Sequence, residues 1–151
     1  MSDHCAQLRW KRTSADFTYQ SYNRAYEVLF KGGGVVVPSS SAPEFKGDSD
    51  RVDPEEAFVA SLSGCHMLTF LAICAKKRLP PDSYDDDASG SLIKRSDGKL
   101  WMGEVILRPR VRFAAGVAVN GAQLADIHHQ AHQDCFIANS VKTEIRIEPR
   151  D

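Results

Sequence analysis

The chain has 151 residues, the length of one ordinary domain able to hide most of its apolar surface. Its 19 Lys and Arg stand against 20 Asp and Glu, a formal net charge of −1, which excludes the basic excess expected of a nucleic-acid or acidic-lipid binder. Hydrophobic residues at 42% and charged residues at 26% are globular proportions, so the chain reads as a single domain over 1–151.

In chain order, residues 1–13 are polar and lack the apolar core of a signal peptide. Tyr22 to Phe30 is rich in aromatics and predicts a strand. Lys31-Gly32-Gly33-Gly34 predicts a turn and Val35-Val36-Val37 a second strand, together a hairpin. Pro38 to Arg51 is a Ser, Pro, Gly and Asp loop of the kind that covers a site or lies across a partner. Asp53 fits a helix N-cap, Pro54 the first helical position, and Glu56 completes a capping box. The helix should run to about Arg78 before Pro80-Pro81 ends it. It is apolar nearly all round between Ala57 and Ala75, which predicts burial. Tyr84 to Ile93, Lys99 to Leu107 and Arg110 to Phe113 read as strands, with Ser96-Asp97-Gly98 as a hairpin turn. Asn120 to Gln133 reads as a second helix, and Phe136 to Glu148 as a last strand. Strands mixed with two main helices, without regular βαβ alternation, predict an α+β fold.

No apolar run approaches the ~20 residues of a membrane helix, so the expected location is cytoplasmic, with neither membrane nor nucleic acid among the partners. There the four cysteines should be mostly reduced. Their irregular spacing, without a CxxC, favours a catalytic or metal-binding cysteine over a disulfide framework. Cys65 lies in the middle of the apolar helix, and Cys135 where the second helix gives way to the last strand. Seventy positions separate them, so only a fold could bring them together. Cys74 reads as core filling and Cys5 as part of the polar terminus.

A metal reading competes. His128 and His132 are four apart on one helix, and Cys135 and Cys65-His66 could add ligands. No His-Glu-x-x-His pattern accompanies them, and the bland reading of these histidines is a partly exposed helix face. Glu56 is assigned to the capping box, whereas Glu55 could serve either the helix dipole or a site. Asp85-Asp86-Asp87 reads as a solvated turn, since no calcium-loop spacing follows it.

The segment from Asp53-Pro54-Glu55-Glu56-Ala57 to Ser63-Gly64-Cys65-His66 resembles the first-cysteine motif of the OsmC/Ohr family of organic hydroperoxide reductases. In that motif a cysteine stands ten residues after the first Glu, as Cys65 does after Glu55. Ala131-His132-Gln133-Asp134-Cys135-Phe136 resembles the family's second-cysteine motif. The order of elements also matches, so the resemblance spans nearly the whole chain. Asp53 stands where the family often has Asn, which preserves capping. The residues around both cysteines resemble the broader OsmC-like branch more than Ohr proper.

The resemblance implies an OsmC-like α+β fold, with antiparallel sheets around a long buried helix, in an intertwined homodimer. It implies an organic hydroperoxide reductase of the oxidative stress response, working without a prosthetic group or metal. Cys65 would be the peroxidatic thiol and Cys135 the resolving thiol, with a small dithiol or lipoyl-protein as reductant. A cation must offset burial of the thiolate. The family takes it from an Arg of the N-terminal hairpin held by the Glu of the helix motif, which points to Arg24 and Glu55; Arg51 is the competing cation. Two alternatives stay open: a metal-binding protein or hydrolase using His128, His132 and Cys135, and a non-catalytic, stress-associated ligand-binding dimer.

Overall fold

The structure, a computed structural model, describes residues 3–151. The chain forms two compact units, one ending at Ala57 and the other spanning Phe58–Asp151.

The first unit carries a three-stranded antiparallel sheet in the order β1 (Gln7–Arg9), β2 (Tyr26–Phe30), β3 (Val35–Ser39). The expected hairpin is β2–β3. Lys31, Gly32 and Gly33 all have positive φ (53°, 67° and 98°), a conformation that favours glycine and so explains the glycine-rich turn. Pro38 is tolerated because β3 is an edge strand and needs no further ladder donor. The strand expected from Tyr22 begins only at Tyr26. Before it, Asn23 takes over the backbone: its side chain accepts from Thr13 N (2.9 Å) and donates to Lys11 O (2.9 Å), while its own carbonyl accepts from the Trp10 indole (2.7 Å). Residues 10–23 are therefore tied by side chains instead of a ladder. The polar first residues also supply β1, a strand too short to announce itself by alternation.

Helix α1 (Pro54–Lys77) starts as its capping signals require. Asp53 Oδ1 accepts from Glu56 N (2.7 Å), and Glu56 Oε2 accepts from Asp53 N (3.1 Å). It ends at Arg78, which takes a left-handed φ of 56° while Leu79 N donates to Cys74 O. On length and composition alone α1 would pass for a membrane-crossing helix, contrary to the expectation from the sequence. Leu62, His66, Phe70, Ile73 and Cys74 are buried along one face, but Leu68 on another is 64% exposed. The single chain thus covers only part of this helix.

The second unit has two sheets: the pair β4 (Pro81–Asp86) and β7 (Pro109–Phe113), and the three strands β5 (Ser89–Lys94), β6 (Leu100–Leu107) and β8 (Glu144–Ile147). All pairings are antiparallel except β6–β8, which is parallel. The strand expected over Tyr84 to Ile93 is two strands in different sheets. The break lies at Asp86, whose carboxylate accepts from Ser63 Oγ (2.5 Å) and Arg108 N (2.6 Å). The acidic run is therefore a corner turned on the half-buried Asp86, with Asp85 and Asp86 inside β4 and Asp85 and Asp87 exposed to solvent. The segment paired with it breaks at the same level, where Pro109 opposite Asp86 cannot donate to a ladder.

Helix α2 (Gly121–Asp134) opens with a full capping box between Asn120 and Gln123 and ends at Cys135. The last strand is shorter than expected because local polar bonds hold the chain after the helix: Asn139 Nδ2 donates to Gln133 O and Ser140 Oγ to Phe136 O. Two apolar clusters flank α1. Phe70, Ile73, Cys74, Ile127 and Ala131 join α1 to α2, with Tyr84, Val111 and Phe113 of the β4–β7 sheet packed against them. Leu62, Val105 and Leu107 join it to β6, covered by Ile145 and Ile147 of β8.

Candidate active site

Cys65 stands in the middle of α1, half-buried; Cys135 caps α2 and is 1% exposed. The fold brings these two together: Cys65 lies close enough to act on the Cys135 thiol, and both are free. Burial first, and then the neighbouring Cys65 thiol, push the Cys135 thiol up to about 11. Two backbone amides work in the opposite direction; Ala138 N donates to Cys135 Sγ at 3.4 Å, as the chain turns over the sulfur after the helix end. The arrangement is a half-exposed thiol backed by a buried, protonated one.

Arg24, in the irregular stretch just before β2, is 9% exposed. Its Nη1 donates to Tyr22 O (3.0 Å) and its Nη2 to Tyr19 O (2.6 Å). The guanidinium also lies over the Tyr22 ring, 4.0 Å from its centroid, and 5.1 Å from that of Tyr19. It borders a cavity of about 450 Å³ within the first unit, walled by Trp10, Phe17, Tyr22, Tyr26 and Ser40 among others. Glu55 is half-buried in the first turn of α1; among the described residues no ion pair joins it to Arg24. Arg24 is instead held by two carbonyls and two aromatic faces, a buried cation with no carboxylate paired to it among the described residues. The competing cation, Arg51, is paired with Asp48 at 3.4 Å.

The histidines sort differently from expectation. His129 is exposed, but His128 is 3% and His66 1% exposed, so the bland reading of an outward helix face fails for His128. His66 Nε2 and His128 Nδ1 are 3.0 Å apart, the rings 8° from parallel and their centroids 5.3 Å apart. The N···N contact and the two ring radii account for that whole separation, so the rings meet edge to edge in nearly one plane. Phe70 closes one side, 4.4 Å from the His128 ring. Burial holds His66 down at about 3 and His128 at about 4, so both are uncharged near neutrality. Among the described residues no three His, Cys, Asp or Glu side chains gather as a metal site would require. The sequence carried one sign of this pair: Leu62, His66 and Phe70, four apart, put a histidine inside the apolar stripe of α1. Cys74 is core filling, as expected, and Cys5 is exposed.

The OsmC-like protein family model matches residues 47–150. No curated protein is significantly similar to the chain in sequence. An OsmC-like protein of unknown function from Vibrio cholerae is 46% identical and superposes with a TM-score of 0.93, over 99% of this chain and 100% of that one. An organic hydroperoxide resistance protein from Elizabethkingia anophelis is similar at 17% identity and a TM-score of 0.75, over 99% and 94% of the two chains. The organic hydroperoxide resistance protein OhrB of Bacillus subtilis is similar at 17% identity and a TM-score of 0.70, over 97% and 98%. The last two likenesses speak to the fold, and the match of the family model to about two thirds of the sequence speaks to descent: the chain belongs to the OsmC-like family.

Proposed function

We propose that the chain is a two-cysteine thiol peroxidase that reduces organic hydroperoxides to alcohols. The observation that carries this reading is the contact between Cys65 and Cys135 across 70 positions of sequence, with Cys65 the more exposed of the two. In the first step the Cys65 thiolate attacks the distal peroxide oxygen. An S–O bond forms, the O–O bond breaks, and the alkoxide takes a proton to leave as the alcohol. Cys135 sulfur then attacks the Cys65 sulfenic acid; an S–S bond forms, the S–O bond breaks, and the hydroxyl leaves with the Cys135 proton as water. A dithiol, small or lipoyl-bound, returns two electrons and two protons. Sulfur carries the whole redox change, so the chemistry asks for no prosthetic group.

The aromatic cavity at Arg24 suits an apolar substrate with a polar, anion-forming end. A fork of N–H donors beside it fits a developing oxyanion better than a point charge would. The relatives that are organic hydroperoxide resistance proteins support the same substrate class. A second copy of the chain is the proposed cover for the open side of α1, where Leu68 is 64% exposed, and for Phe136 after the end of α2, which is 81% exposed. The cytoplasm, where a dithiol pool keeps both cysteines reduced, is the proposed location.

The test is thiol mapping by mass spectrometry after one equivalent of tert-butyl hydroperoxide. A rapid Cys65–Cys135 disulfide, reversed by a dithiol, is the expected result. Thiols that stay reduced beside unconsumed peroxide would overturn the reading.

A further inference from the structure

We infer that His66 and His128 form a positioning pair whose single N–H···N bond sets the register between α1 and α2 at which Cys65 and Cys135 touch. As a statement about catalysis this rests on the peroxidase reading; as a statement about geometry it is tested without it.

Around the pair the α1–α2 contact is Phe70, Ile73, Cys74, Ile127 and Ala131. Apolar burial is non-directional and tolerates small slides and rotations of one helix on another. The imidazole bond is directional and is buried beside that contact, against Phe70. Its two ends are tied by covalent spacing to the two sulfurs. His66 is the next residue after Cys65. His128, His132 and Cys135 are spaced four and then three apart, which places them along one side of α2. A shift of one residue in α2 turns that side by about 100°, carrying His128 off His66 and Cys135 off Cys65 together.

The pair makes a poor stabiliser, and this supports a role in register. Two neutral imidazoles share one proton bridge, and their outer nitrogens, His66 Nδ1 and His128 Nε2, are buried with no partner among the described residues. One is an idle donor and the other an idle acceptor, whichever tautomers are present. Two apolar side chains of similar size would serve stability as well or better. What they could not supply is a preferred rotation of α2, and selecting register is the best-attested use of a buried polar pair.

The test uses diamide, a diazene that takes two electrons and two protons from a dithiol as the S–S bond forms, and so needs no peroxide chemistry. The rate of Cys65–Cys135 disulfide formation is compared in His66→Gln and His66→Asn. The Gln amide reaches the position of His Nε2; the Asn amide stops near that of Nδ1 and cannot span to His128. Gln should form the disulfide at close to the wild-type rate, and Asn about tenfold more slowly, the loss of one uncharged hydrogen bond. The double variant His66→Leu/His128→Leu should melt at or above the wild-type temperature yet share the slow rate. Equal rates in Gln and Asn would overturn the inference, and this comparison decides even if the Leu pair does not fold. A wild-type chain that forms the disulfide with diamide but not with peroxide would sink the peroxidase reading and leave the positioning role standing.

Discussion

Cys135 sits 1% exposed beside the half-exposed Cys65, close enough for the outer thiol to bear on the inner one. The outer thiol can meet a substrate that the inner one cannot, and the inner one is placed to meet the product of that encounter. In the proposed mechanism, the division of labour between attacking and resolving sulfur follows from that depth.

Removing the two thiols separately should have different outcomes. Cys65→Ser should lower peroxide turnover by about 10³-fold or more, the scale of losing a nucleophile. Cys135→Ser should leave the first turnover intact but strand Cys65 as a sulfenic acid, trapped by dimedone or driven on to sulfinic acid by excess peroxide. Intact-mass measurements after one and ten equivalents of peroxide distinguish the two.

Arg24 should be irreplaceable by Lys. An ammonium carries the charge but cannot donate to both Tyr19 O and Tyr22 O while lying over the Tyr22 ring. Arg24→Lys should therefore lower kcat/KM by about 10²-fold, the scale of losing one oriented donor. Retention of full activity in the Lys variant, measured with an organic hydroperoxide, would overturn the proposed role of Arg24.

The buried imidazoles predict acid sensitivity. His66 is held near 3 and His128 near 4, against 6.5 for the ordinary side chain; His132 faces His66, and Asp86 faces His128. Between about pH 6.5 and 4 the unfolded chain therefore binds protons that the folded chain refuses, so stability falls as pH falls. The slope is about 1.4 kcal/mol per pH unit for each imidazole. Urea unfolding at several pH values should show it in the wild type, and His66→Gln/His128→Asn should flatten it. At the other end the Cys135 thiol keeps its proton to about 11 against an ordinary 9, so stability should decline again as pH rises through that interval.

Ser63 and Asp86 tie α1 to the corner between β4 and β5. Ser63→Ala leaves the Asp86 carboxylate with one fewer donor and should cost about 1–3 kcal/mol, the range for a hydrogen bond to a charged group. Thermal unfolding measures it, and Asp86→Asn should recover part of the loss in the Ser63→Ala background, because a neutral amide needs less compensation.

The uncovered side of α1 predicts association. Leu68→Asp together with Phe136→Asp should shift a species of twice the chain mass to one of single mass in light-scattering chromatography. A wild-type chain that is monomeric at every concentration tested would refute the proposed homodimer.

What the sequence determined by itself was local. The α1 start was legible because Asp53, Pro54 and Glu56 satisfy its first amides with their own side chains, and the α2 start because Asn120 and Gln123 do the same. The glycine turn before β3 was legible because positive φ leaves few alternatives to Gly. The two cysteine motifs marked Cys65 and Cys135, since a resemblance is carried by residue order. Long-range relations decided the rest. Nothing local told Asp86 that Ser63 and Arg108 would bend its strand into a second sheet. Nothing local told Arg24 that tyrosine carbonyls would hold it in place of a carboxylate. The four-residue spacing of His128 and His132 suits a metal, but spacing along one helix is blind to what the facing helix presents. Only the docking of α1 on α2 put His66 in front of His128 and turned a candidate ligand into half of a hydrogen bond.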